Sequence, residues 1–305
     1  MTHVSLAGAG ARALVYASFF DTEPGKKLLR EATSFSGVSA GAIVATPLAL
    51  GVQPRAVVKE LERGGVGDWL KYPRALATYF KLRKSMYSGD ELLNRLNTIC
   101  HGCKLRKPVS LGVTTATPMK QKTVTYTNEA ADLNCMLNTT VASASIPGVF
   151  ANRTVTVDGK QQECFDGGAA DCTFAIEPIR EAIQKRERIV LLNSAPWPGY
   201  RQPMQNEEFG ALIAGHAFDV FNTHGLEWLP RELGDSFKYQ DGVFTYDNVT
   251  LVAPTGEQYT QSGGNASSAN LFYSGHSPFT ERLVAAGKQM AEAYNTVSSG
   301  FYFNG

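Results

Sequence analysis

A chain of 305 residues with 43% hydrophobic and 19% charged residues can build a substantial buried core. Its net charge of +1 argues against a nucleic-acid binder or a strongly acidic partner, and no apolar run approaches the roughly 18 residues of a transmembrane segment. Five cysteines, an odd and sparse set, point to reduced thiols and a cytoplasmic setting, or one peripheral to a membrane.

In chain order, Met1 to Leu6 carries no basic region or long apolar core of a secretory signal and enters a strand directly. Val4-Ser5-Leu6-Ala7 leads into Gly8-Ala9-Gly10-Ala11-Arg12-Ala13, and an apolar helix follows to about Phe20. This strand, glycine-rich turn and helix admit three readings. One is a dinucleotide fingerprint, which would require an acidic residue at the end of the second strand, where none stands. Another is a loop whose amides face a substrate carbonyl, and the third is a plain tight turn. The second strand runs out through Ser34-Phe35 into Gly37-Val38-Ser39-Ala40-Gly41, a G-x-S-x-G elbow that opens an alanine-rich helix over 40–50. Pro54 to Arg63 predicts an amphipathic helix that stops at Gly64-Gly65.

Residues 66–88 mix aromatic and basic side chains. They read as a cap helix with a solvated cationic face or as a segment at a lipid interface. Asp90 to Ile99 is helical, and Cys100-His101-Gly102-Cys103 is a lone C-x-x-C that reads as a helix-end turn; no metal site is expected. Strands are predicted over 108–117 and 122–127, a helix over 136–145, and a hairpin around Asp158-Gly159 whose second arm delivers Asp166-Gly167-Gly168. A helix over 177–185, a buried strand over 188–193, a long helix over 206–229 and a strand over 248–253 follow. Gln258 to Ala269 reads as a polar loop, and Thr280 to Tyr294 as the last helix. The alternation predicts one α/β domain over 1–305, without repeats or a linker.

A serine nucleophile needs a base and oxyanion donors. Asp166, at a strand end with two glycines behind it, fits the base, although Asp-Gly-Gly can equally be a turn. A Ser-Asp-His triad is the competing arrangement: His216, His224 and His276 all follow Asp166, and His276 sits in the most loop-like setting.

Four segments in this order resemble the patatin-like phospholipases: Gly8–Ala13, Gly37–Gly41, Ala142-Ser143-Ala144-Ser145-Ile146-Pro147-Gly148-Val149-Phe150, and Asp166-Gly167-Gly168. The likeness spans residues 3–195, with 196–305 completing the fold. It implies a three-layer α/β/α sandwich with a central, mostly parallel sheet, and a Ser39–Asp166 dyad acting without a histidine. It further implies oxyanion donors at Gly8, Ala9, Gly10 and Ala11, and supporting roles for Arg12, Gly37, Gly41, Gly167 and Gly168. A phospholipase A or lysophospholipase type of activity is expected on lipid at a membrane surface, with no metal or organic cofactor. Ala9 and Ala13 replace glycines of the family loop, and the sequence leaves open a second outcome: a catalytically silent patatin fold that binds lipid or protein. Oligomeric state is not legible.

Overall fold

The computed structural model describes residues 1–63, 85, 87–128, 131–170, 174–196, 238–240, 242–264 and 277–300. The strands are β1 (Thr2–Leu6), β2 (Ser34–Val38), β3 (Val109–Ala116), β4 (Met119–Tyr126), β5 (Arg153–Val157), β6 (Lys160–Asp166), β7 (Arg188–Leu192), β8 (Lys238–Gln240), β9 (Val243–Tyr246) and β10 (Val249–Val252). The helices are α1 (Ala13–Phe20), α2 (Glu23–Glu31), α3 (Ala40–Ala49), α4 (Pro54–Arg63), α5 (Asp90–Cys100), α6 (Leu133–Ser143), α7 (Ile176–Gln184), α8 (Gly256–Gln261) and α9 (Pro278–Gly300).

The described strands form one mixed sheet ordered β5-β6-β3-β2-β1-β7-β10-β9-β8, with β4 also on β3. Its five central strands, β3-β2-β1-β7-β10, are parallel, as a crossover-connected α/β sheet requires; the flanking pairings are antiparallel. Side-chain alternation sorts the two faces. Val190 and Leu192 of β7 join the large core under α1, α3, α4, α5, α6 and α9, whereas Ile189 and Leu191 meet Ile179 and Ala182 of α7 on the other face. The result is the expected α/β/α layering.

Helix α3 is buried along its whole length, as an apolar-all-round sequence demands. Burying Val44 and Leu48 contributes roughly 1.5–3 kcal/mol each. Along the same sheet runs a polar row: the His3 ring is within 2.8 Å of Ser34 Oγ and 2.9 Å of Ser36 Oγ, and Ser36 donates to Ser5 Oγ at 2.7 Å. Burial lowers the His3 pKa to about 4, so the ring is neutral.

One predicted feature changes, and one helix is added. The segment read as a polar loop from Gln258 opens as α8, because Thr255 accepts from the Gln258 amide and the Gln258 side chain returns to the Thr255 amide. Helix α2 has no counterpart among the predicted elements; Pro24-Gly25 resembles a turn, yet Thr22 caps the helix and Gly25 lets it press on α1, where a Cβ would lie 2.0 Å from Phe19 O. The predicted helix over 206–229, His216, His224, His276 and nearly all of 66–88 lie outside the described residues. Cys100 ends α5 in the core, its thiol pushed up to about 12 by burial, and Cys103 N donates to Cys100 O at 3.0 Å in the predicted helix-end turn. Among the described residues no cluster suits a metal, and no helix is long and apolar enough to cross a membrane.

Candidate active site

The site is built by one strand that meets another head-on. Strand β2 runs parallel along one edge of β3, with Val38 opposite Gly112. Strand β6 runs antiparallel along β3 and ends with Asp166 opposite Val113. Because β4 occupies the other edge of β3 along its whole length, β2 and β6 share one edge and their C-terminal ends converge. Ser39 and Asp166, 127 positions apart in sequence, are thereby brought together, and Ser39 Oγ donates to Asp166 Oδ2 at 2.6 Å.

Two glycines that line this junction have no room for a side chain. A Cβ on Gly112 would lie 2.6 Å from Val38 Cγ2, and one on Gly167 would lie 2.2 Å from Gly112 O. Ser143, at the end of α6, closes the junction from one side: its hydroxyl donates to Gly112 O at 2.5 Å and accepts from the Ser39 amide at 2.9 Å. Asp166 N donates to Ser145 O at 3.0 Å. Ser143 stands in the third family segment, which gave it no role, and Gly112 stands in no pattern at all.

Ser39 itself has φ 53° and ψ −123°, a conformation that costs a non-glycine residue on the order of 1–3 kcal/mol. It is the strained elbow of the G-x-S-x-G pattern, and the small flanking residues make it feasible. A Cβ on Gly41 would lie 2.3 Å from Leu6 O, and one on Gly37 would lie 2.7 Å from Ala42 N. The hydroxyl therefore stands at the positive end of α3.

Asp166 is 7% exposed. Burial raises its pKa from 3.8 to about 6, against the opposing hydrogen bonds from Ser39 Oγ and the Gly168 amide. One oxygen is held by Gly168 N at 2.9 Å and the other by Ser39. His3, one of the described histidines, bonds Ser34 and Ser36 instead.

The turn after β1 rests on the start of α3, as the Gly41 contacts with Leu6 O and Ala7 O require. Gly10 has φ 54°, so the position that needs left-handed backbone is a glycine. Ala9 (φ −149°) and Ala13 (φ −49°) both have negative φ, so neither alanine occupies a left-handed position. Neither substitution therefore falls on the position of the loop that calls for left-handed backbone. The amides of Gly8, Ala9, Gly10 and Ala11 carry no hydrogen bond among the described residues, as expected before a short helical turn. Arg12 is fully buried: Nε donates to Ser194 O at 3.1 Å, Nη2 donates to Ser262 Oγ at 3.0 Å, and the guanidinium lies 4.6 Å from the Tyr259 ring centre.

The model of the patatin-like phospholipase family matches residues 4–179. The chain belongs to the patatin-like phospholipase family. The matched stretch takes in the glycine-rich turn, the serine elbow and Asp166. No curated protein matches the chain at a significant level. Among solved structures it resembles VipD from Legionella pneumophila, with a TM-score of 0.50 at 14% identity over 98% of this chain and 66% of that one. It also resembles human GIVD cytosolic phospholipase A2, with a TM-score of 0.51 at 11% identity over 97% of this chain and 59% of that one. Identities this low speak for a shared patatin-like fold alone, and this chain spans less than two thirds of either of those chains.

Proposed function

We propose that this patatin-like chain is a serine lipid acyl hydrolase of phospholipase A or lysophospholipase type, working through a Ser39–Asp166 dyad. The observation that carries the reading is the 2.6 Å hydrogen bond from Ser39 Oγ to a buried carboxylate. Asp166 takes the hydroxyl proton as Ser39 Oγ bonds to the ester carbonyl carbon. The carbonyl oxygen becomes an oxyanion facing the amides of Gly8, Ala9, Gly10 and Ala11. Collapse breaks the bond to the alcohol, which leaves with the proton from Asp166. Water then attacks the acyl-Ser39 ester, giving its proton to Asp166, and the fatty acid departs as Ser39 recovers its proton. No step calls on a histidine.

An elevated aspartate pKa suits this duty. A base near 6 is still ionised at neutral pH, yet accepts a proton more readily than an ordinary carboxylate. The test is fatty-acid release from phospholipid vesicles and from micellar lysophospholipid. Wild type should release fatty acid, whereas Ser39→Ala and Asp166→Asn should lose at least about a thousandfold in kcat, the scale expected for a nucleophile or its base. Undiminished release by Ser39→Ala would remove the proposal.

A further inference from the structure

The proposed chemistry depends on where four amides point, and the residue that follows them, Arg12, is gripped from the far end of the chain. Arg12 Nη2 donates to Ser262 Oγ, and the same hydroxyl donates to Tyr259 O at 2.9 Å. The ring of Tyr259, 2% exposed, lies against the guanidinium. These partners sit on α8 and the residue just after it, beyond the residues 4–179 that the family model matches. On its other flank Arg12 bonds Ser194 O at the end of β7, where Tyr16 accepts from the Ser194 amide at 3.0 Å. A second contact from the same end of the chain is independent of the arginine: Phe279, at the start of α9, packs against Ala11 together with Ile146 and Val149.

We infer that Tyr259 and Ser262 are positioning residues that set the oxyanion loop by clamping Arg12, an inference that rests on the hydrolase reading above. The guanidinium is rigid and planar, so a hydroxyl acceptor and a ring face on one side, with a carbonyl on the other, fix its position and hence the backbone from Gly10 to Arg12. The donors must meet an oxyanion within a few tenths of an ångström, and a 1 Å misplacement costs on the order of 100-fold in rate. The capping box at Thr255 and Gln258 gives α8 a defined start, which makes a six-residue helix a firm support. The C-terminal segment thus completes the catalytic loop.

The test uses the full chain and a soluble short-chain ester. Ser262→Ala should lower kcat about 10-fold and Tyr259→Leu about 100-fold, each with KM within about twofold of wild type, because only transition-state contacts are weakened. Tyr259→Phe, which keeps the ring face, should return kcat to within about threefold of wild type. Ser262→Ala removes a single hydroxyl, so it keeps the comparison available even if Tyr259→Leu fails to fold. The acid midpoint near pH 6 set by Asp166 should not move in any of them. Wild-type kcat in folded Ser262→Ala, or a loss that appears in KM alone, would overturn the clamp while leaving the hydrolase reading intact. A wild type with no more turnover than Ser39→Ala would overturn both.

Discussion

Replacing Asp166 with asparagine should make the protein more stable at neutral pH, and by an amount that depends on pH in a defined window. Folding raises the Asp166 pKa from 3.8 to about 6, so between those values the folded state holds more protons than the unfolded one. Stability contributed by this group is therefore greatest below pH 3.8 and falls as pH rises through 6. The shift of about two units corresponds to a penalty of about 3 kcal/mol once the carboxylate is ionised in both states. Asparagine is isosteric and can still accept from the Gly168 amide, so it escapes that penalty. The advantage of Asp166→Asn over wild type should accordingly grow by about 2 kcal/mol between pH 4.5 and 7.5. His3 works in the opposite sense: its folded pKa of about 4 lies below the ordinary 6.5, so its contribution is lost as pH falls through that interval. In wild type the two slopes largely cancel, and Asp166→Asn should uncover the rise with pH that His3 imposes. Urea unfolding of both proteins across this range measures the effect. A difference that is constant with pH, or one that favours wild type at pH 7.5, would refute the claim that Asp166 is a buried, desolvated carboxylate.

Further outcomes follow from the same geometry. The kcat/KM of the wild type should fall tenfold per unit below pH 6 and level off above it, since only ionised Asp166 can take the Ser39 proton; a flat profile down to pH 4.5 would contradict this. Gly41→Ala should cost at least about 2 kcal/mol in thermal or urea unfolding, because its Cβ would lie 2.3 Å from Leu6 O, and a wild-type midpoint would refute the close approach. Ser143→Ala leaves the Ser39 amide and Gly112 O without their shared partner, so stability should drop by about 1–3 kcal/mol and kcat should fall more than KM rises; unchanged unfolding would show that the bridge is dispensable.

How far the sequence reached is clear from particular residues. Ser39 and Asp166 were legible because their surroundings are local: an elbow needs small flanking residues, and a strand-end aspartate followed by glycines leaves room for close approach. Their meeting was not derivable from spacing, because it arises from β2 and β6 sharing one edge of β3, a long-range pairing. Gly112 escaped notice for that reason, and Ser143, although inside a family segment, could not be given its bridge between Ser39 and Gly112. The concern about Ala9 and Ala13 came from comparison with the family loop, and the left-handed position among these residues falls on Gly10 rather than on either alanine. Beyond residue 195 no motif could be placed, yet β8, β9 and β10 extend the sheet and α8 grips Arg12. The start of α8 was in fact readable, as Thr255 and Gln258 spell a capping box that the polar composition around them obscured.

The most direct measurement of the dyad is covalent labelling by an alkyl fluorophosphonate, followed by intact mass and peptide mapping. Wild type should gain one phosphonyl group on Ser39, at a rate that falls with protonation of Asp166 near pH 6. Ser39→Ala should stay unlabelled, and Asp166→Asn should label at least about 100-fold more slowly. A wild type that remains unmodified, or that carries the adduct on any residue other than Ser39, would contradict the account.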